Sequence, residues 1–310
     1  CEFIFAKATD NPYLPAGYVE QTLSGMPERL RRRYLEGLWE YIEGNSFFDA
    51  DCLAYYQRLA QDSKPVLTGR VVGDPKADFE ARYRKRQVDP KLACRVVRGD
   101  GPLAVYKGPV RAQDGKPAHR YVMAIDVSSG GSHDYSAIQV VDVDSFEQAA
   151  EWQGKATPSE VAVEAYRLGR VFNNATAVPE ITGGWGFAVQ QELQRLRYPS
   201  IYTRKVLDRL TRKFTDKMGW DTTQKSRGYM LDTLERVLRE QEFGLYGFRT
   251  VRELATFVYG KNDKAEAQEG NNDDLLMALA IGVTVALELP REVRRPVERP
   301  HVPQFSATGY

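Results

Sequence analysis

Apolar and polar positions alternate with two different periods along this chain, and the second half is the more regular. Tyr121 to Val127 is a nearly unbroken apolar run, as expected of a strand buried on both faces, and Ser136 to Val143 reads as its returning partner across a turn at Gly130-Gly131. Pro158 to Phe172 has helical spacing with Pro158 suited to a first turn, and Thr176 to Val178 is a short strand. Phe187 to Leu196 is a second helix and Pro199 to Tyr202 is strand-like. Thr223 to Glu240 is a long helix, Val251 to Val258 fits either a helix or a strand, and Asn272 to Leu287 is an apolar helix.

The first half is punctuated differently. After a turn at Asp10-Asn11-Pro12, a short helix is predicted over Tyr18 to Leu23 and a longer one over Pro27 to Trp39. The longer helix puts Leu30, Tyr34, Leu35 and Leu38 on one face, with Arg31, Arg32 and Arg33 mostly off it. From Lys64 to Ala118 short β-branched runs are split by Gly and Pro, and a basic stretch, Arg82 to Arg86, lies among them. The pattern divides the chain into a helical segment at 1–60, a connector with short strands at 61–118, an α/β domain at 119–289 and a Pro-rich tail at 290–310.

Composition removes several classes. The 310 residues carry 43 Lys plus Arg against 42 Asp plus Glu, with 42% hydrophobic residues, which excludes disordered, collagenous and disulfide-stapled chains. A net charge of +1 also argues against a surface that is basic all over. Cys1, Cys52 and Cys94 contain no CxxC pair, and with only His119, His133 and His301 no zinc-type spacing arises, which fits a reducing setting. The longest apolar run, Leu275 to Leu287, is about thirteen residues against the roughly twenty that a bilayer span requires, so no membrane partner is expected. No secretory signal opens the chain, and a start at Cys1 rather than Met reads as a fragment of a longer polypeptide.

The candidate chemistry lies in where carboxylates fall relative to apolar strands. Asp126 ends the run Tyr-Val-Met-Ala-Ile, Glu180 follows Ala-Val-Pro, and Asp273-Asp274 opens the apolar helix. A carboxylate at the end of a buried strand is costly unless it is paired or binds a metal. Carboxylate oxygens suit Mg²⁺ or Mn²⁺, and two such ions about 3.5–4 Å apart can clamp the attacking and leaving oxygens of a phosphodiester. Each acid also has a plainer role. Asp126 and Asp134 fit turn positions around Gly130-Gly131, Asp273 or Asp274 fits a helix cap, and Glu180 fits a loop before Thr182 to Gly186. The order of strand, acid, turn, strand, helix, strand, acid, Gly-rich loop and final Asp-Asp is more specific than any one of them.

Several stretches carry a family resemblance. Gly101 to Tyr106, His119 to Asp142, Glu151 to Gly154, Leu168 to Ala175, Gly219 to Thr223 and Asn272 to Ala280 resemble the nuclease domain of tailed-bacteriophage terminase large subunits. Asp10 to Leu14 and Tyr34 to Trp39 resemble the end of the same family's ATPase region. The resemblance implies an RNase H-like (RuvC/integrase-type) α/β fold, a mixed sheet flanked by helices. It implies two-metal cleavage of concatemeric double-stranded DNA during packaging, with the portal protein and the small terminase subunit as partners, in the cytoplasm of an infected bacterial host. Carried over by position, Asp126 is the first-strand ligand, Glu180 the second acid, Asp273-Asp274 the third position, and Asp134 a further acid of the hairpin. Asn272 stands where the family often has His, and Glu180-Ile-Thr-Gly-Gly-Trp-Gly186 where it often has a Glu-x-Asn loop.

Between Tyr202 and Gly228, Arg204, Lys205, Arg209, Arg212, Lys213, Lys217, Lys225 and Arg227 outnumber Asp208, Asp216 and Asp221, a concentration suited to DNA phosphates. Trp185 and Trp220 are candidates for stacking or for packing. No G-x-x-x-x-G-K-[ST] stretch occurs, because the Gly-Lys pairs at Gly115, Gly154 and Gly260 continue with Pro117, Ala156 and Asn262. P-loop ATP hydrolysis is therefore not expected of this chain. Two other readings remain open at this point. Ala124 to Gly131 also resembles the first phosphate loop of actin-like sugar kinases, and a non-catalytic portal-docking module would fit the same fold.

Overall fold

The structure is a computed structural model, and it describes residues 46–128, 135–207, 213–260 and 264–289. The helices expected at Tyr18 to Leu23 and Pro27 to Trp39, the Pro-rich tail, Asp134, Arg209 and Arg212 lie outside the described residues. In chain order the first elements are α1 (Ala50–Asp62), β1 (Leu67–Val72), α2 (Pro75–Tyr83), β2 (Arg95–Arg98), β3 (Leu103–Val105), β4 (Tyr121–Asp126), β5 (Ser136–Asp142) and β6 (Glu147–Gly154). There follow α3 (Pro158–Val171), β7 (Thr176–Pro179), α4 (Trp185–Arg195), β8 (Thr203–Leu207), β9 (Phe214–Met218) and α5 (Gln224–Arg239). The last are α6 (Phe248–Ala255), β10 (Phe257–Tyr259), β11 (Ala265–Ala267) and α7 (Asp274–Glu288).

Seven strands form one sheet in the order β2-β1-β3-β6-β5-β4-β7. The pairs β4–β5 and β5–β6 are antiparallel, and the chain then crosses through α3 to lay β7 parallel to β4. A further parallel bridge, Ala177 to Ile201, continues the sheet past β7 at the stretch read as strand-like. An antiparallel meander followed by a helical crossover to a strand parallel to the first is the RNase H-like arrangement that the family resemblance implies. The short strands of residues 61–118 join the same sheet, with Leu103 of β3 opposite Trp152 of β6.

The pleat of β4 divides two cores. Tyr121, Met123 and Ile125 pack toward α3 and α4, whereas Val122 and Ala124 pack toward α5, α6 and α7. Asp126 has the parity of Val122 and Ala124, so it belongs to the α7 face. Helix α7 is the apolar helix expected from the sequence, and every residue from Leu275 to Ala286 except Met277 is buried. Among the described residues no helix is long and apolar enough to cross a membrane. The stretch Val251 to Val258, which fits either type by pattern, is split between the end of α6 and the start of β10.

One polar cluster fixes α6 to the sheet and another ties α2 to α3. Under α6, the fully buried Glu151 of β6 accepts from Tyr106 Oη (3.0 Å), Arg249 Nε (2.9 Å), Thr250 Oγ1 (2.6 Å) and Gln148 Nε2 (3.3 Å). At the other face, Asp78 of α2 accepts from Arg170 Nε (2.8 Å) and Nη2 (3.0 Å), Tyr166 Oη (2.7 Å) and Arg82 Nε (3.1 Å). Burial pushes the Asp78 carboxyl up, but hydrogen bonds from Arg170 and Tyr166 and the charges of Arg170 and Arg82 outweigh it and hold it below the ordinary aspartate range. The pairing therefore contributes its full stability above the unfolded aspartate range and loses it as pH falls through the lowered native value. Asp78→Ala strands two arginines that are only partly exposed, so we expect a loss of about 3 kcal/mol by urea denaturation at neutral pH, shrinking toward zero in acid. An undiminished difference in acid would contradict that account of the clamp.

Candidate functional site

Two acids reach the same end of the sheet because their strands are parallel neighbours in register. Ile125 lies opposite Pro179, and the Glu180 N–H donates to Ile125 O at 2.9 Å, so pairing runs one residue past β7. Asp126 and Glu180 are thereby adjacent at strand spacing, roughly 4.8 Å between backbones. Glu180 is also bridged on its other side by Trp220. Beyond it, Gly183 and Gly184 turn the chain with φ of +79° and +93°, a region that favours glycine, and α4 begins at once. Gly186 sits so close that a Cβ there would lie 1.5 Å from Glu180 O. The Gly-rich loop is thus needed to seat a helix start directly on the backbone of the acid.

Helix α7 delivers the remaining acids. Its first residue is Asp274, and Asp273 occupies the N-cap position without using its side chain to cap. The Leu276 N–H donates instead to Glu253 Oε2 of α6 at 2.9 Å. The plainer role of Asp273 as a helix cap is therefore not the one it plays. Burial raises the Asp126 carboxyl well above the ordinary aspartate range, and the charges of Asp274, Glu180 and Asp273, in that order, raise it further. Burial also raises Asp273, opposed by the positive charges of Arg227 and Lys264. Glu253 is pushed to about 8, mainly by burial, with hydrogen bonds from the Leu276 and Leu275 backbone acting against the charges of Asp274 and Asp273. Acids from two other segments, Glu180, Asp273 and Asp274, thus act by their charge against ionisation of Asp126.

The basic segment is partly neutralised within the protein. Lys217 of β9 donates to Asp221 Oδ2 at 2.5 Å, and Arg204 of β8 approaches the same carboxylate at 3.5 Å. The hydrogen bond from Lys217, with the charges of Lys217 and Arg204, holds Asp221 below its ordinary range against burial. Arg227 donates to Ala265 O at 2.8 Å and lies over the Phe257 ring. Lys205, Lys213 and Lys225 are exposed. Trp220 is 3% exposed and packs in the core, whereas Trp185 is 50% exposed at the start of α4.

A second set of possible ligands comes together elsewhere. His119, Asp142 and Asp144 bring ligand atoms within 4.8 Å of one another, a grouping that reading for sequence spacing missed because strand pairing creates it. It lies at the opposite end of β4 from Asp126, since Tyr121 pairs with Asp142 and Asp126 with Ala137. At roughly 3.3 Å per residue the two ends are about 17 Å apart. Its members are bonded to one another and to nearby groups: His119 Nδ1 to Asp142 Oδ2 at 2.6 Å, and Arg120 Nη2 to Asp144 at 3.0 Å. We read it as a tie across the hairpin base.

No known family profile matches the sequence. Among solved structures, the large terminase nuclease from thermophilic phage G20c with bound cobalt has 19% identity, covering 60% of this chain and 89% of that one, with a TM-score of 0.48. The Thermus phage P74-26 large terminase nuclease domain has 17% identity over 59% and 84%, with a TM-score of 0.44. A large terminase from another thermophilic bacteriophage has 12% identity over 91% of this chain and 54% of its own, with a TM-score of 0.43. The similarity is one of fold.

Of the acids expected from the sequence, Asp126 and Glu180 end neighbouring strands, and Asp273 and Asp274 open α7. Sequence reading missed Glu253, because a buried acid inside a short amphipathic helix gives no local sign that it will cap a different helix. It also missed Asp221 as the acid that Arg204 and Lys217 share, since that pairing is made by the β8–β9 hairpin.

Proposed function

We propose that this chain is a divalent-metal-dependent DNA endonuclease, the nuclease part of a phage large terminase, acting on concatemeric DNA during packaging. The observation that carries this reading is the convergence of Asp126, Glu180, Asp273 and Asp274 at one end of the sheet. Mutual repulsion there is unfavourable for the bare protein and is relieved by a cation. The donor set offered by these four residues, carboxylate oxygens, fits Mg²⁺ or Mn²⁺. Bound as a pair, such ions would stabilise charge on the attacking and leaving oxygens of a phosphodiester. Strand pairing sets Asp126 and Glu180 side by side at the ends of β4 and β7, and α7 supplies Asp274, whose charge acts on Asp126. Lys205, Lys213, Lys217, Lys225 and Arg204 would position the duplex through phosphates, with little sequence preference. The portal protein, the small terminase subunit and the cytoplasm of an infected bacterium belong to the same proposal.

Purified protein incubated with supercoiled plasmid and Mn²⁺ is expected to nick and linearise it, and chelator or Asp126→Ala to stop the reaction. Cutting that survives both, or no cutting by the unaltered protein, would sink the reading. Of the two adjacent aspartates, Asp274 has the larger effect of its charge on Asp126. Asp274→Asn is expected to slow cleavage at least about tenfold more than Asp273→Asn, within the range seen when groups around a metal are removed. Equal rates for the two variants would show that the positions are not distinct.

A further inference from the structure

Glu253 takes no part in the site proposed above, yet it contacts the helix that supplies half of it. A helix start leaves backbone N–H groups without partners inside the helix, and the residue at the N-cap ordinarily accepts one of them. In α7 that residue is Asp273, and its side chain makes no capping bond. The Leu276 N–H reaches Glu253 Oε2 at 2.9 Å, from a side chain 8% exposed on a neighbouring helix. The other oxygen of the same carboxyl accepts from Gln153 Nε2 of β6 at 3.0 Å, which ties the cap to the sheet. Gln139 Nε2 of β5 meets Leu275 O at 3.3 Å, so the first turn of α7 is held from both its donor and its acceptor side.

We propose that Glu253 is a positioning residue that caps α7 in place of Asp273, leaving Asp273 and Asp274 directed at Asp126 and Glu180. The division of labour has a chemical reason. An aspartate committed to its own helix N–H groups would offer fewer lone pairs to a cation, and its rotamer would be set by the helix rather than by the site. A cap borrowed from α6 removes that conflict, and Gln153 fixes the borrowed carboxyl in turn. This inference rests on the metal reading of the acid cluster.

The test measures Mn²⁺ binding by electron paramagnetic resonance of the free ion, in the unaltered protein and in Glu253→Ala, Glu253→Gln and Asp126→Asn. Amide hydrogen exchange at Leu276 is followed in parallel. Glu253→Ala is expected to weaken Mn²⁺ binding about tenfold or more and to lose protection at Leu276. Glu253→Gln, which keeps an acceptor oxygen at the same reach, is expected to stay within about threefold of the unaltered protein and to keep the protection. If Glu253→Ala does not fold, Glu253→Asp, one methylene short of the Leu276 N–H, carries the same expectation. A folded Glu253→Ala or Glu253→Asp that binds Mn²⁺ as tightly as the unaltered protein would overturn the proposal. So would a Glu253→Gln as weak as Glu253→Ala, because that would make charge rather than capping the cause. Equal Mn²⁺ binding by the unaltered protein and Asp126→Asn would instead overturn the metal reading, and the role of Glu253 with it.

Discussion

Asp126→Asn is expected to lower Mn²⁺-supported DNA cleavage by more than about 100-fold, beyond the usual cost of losing a group that only supports a metal ligand. The same substitution is expected to raise the melting temperature of the metal-free protein. Both effects have one origin. The Asp126 carboxyl is raised first by burial and then by Asp274, Glu180 and Asp273, so the folded protein holds that proton more tightly than the unfolded chain does. Stability is then greatest below the ordinary aspartate range and falls as pH rises through the raised value. Ionisation of this buried group is a liability that Asn removes while keeping the shape. Cation binding reverses the comparison, since an ion that binds only the native state stabilises the unaltered protein and not the variant. Melting curves in chelator and in Mn²⁺ should therefore cross in rank. A variant destabilised in both conditions would show that Asp126 serves folding rather than an ion.

Glu151→Ala is expected to cost about 3 kcal/mol of stability and to lower the melting temperature by roughly 5 °C. Glu151 is fully buried and takes four hydrogen bonds, from Tyr106, Gln148, Arg249 and Thr250. Truncation leaves Arg249 without its carboxylate and the Tyr106 and Thr250 hydroxyls without their acceptor, and the cost of stranding such groups exceeds the net worth of the bonds. Arg249 and Thr250 lie on α6, the helix that carries Glu253, so the loss should also loosen the start of α7. Thermal melting together with the Mn²⁺ titration checks both parts. A stable variant would mean that the network is dispensable to the docking of α6.

The second half of the chain was legible because its signals are local. A strand buried on both faces, or a helix buried all round, must be nearly all apolar, and Tyr121 to Ile125 and Leu275 to Ala286 show the two cases without reference to anything distant. Asp126 and Glu180 could be read for the same reason, since an acid closing such a run breaks a rule that the run itself establishes. What escaped depends on pairing between distant segments. The strands in residues 61–118 are short, and β2 is mostly exposed, so nothing in their composition told that they extend the main sheet. His119 meets Asp142 only through the register of β4 and β5. Glu253 meets Leu276 only because α6 and α7 pack together, and sequence alone could not separate Asp273 from Asp274. The basic stretch was legible as charge but not as partnership, since Asp221 engages two of its members.

The central claim is that a divalent cation is held by acids at the Asp126 end of β4. Crystals soaked in Mn²⁺, with anomalous scattering collected near the manganese edge, test it most directly. The account predicts manganese with carboxylate oxygens of Asp126, Glu180 and Asp274 at coordination distance, roughly 2.0–2.3 Å. Manganese found only beside His119, Asp142 and Asp144, at the far end of the same strand, would contradict it.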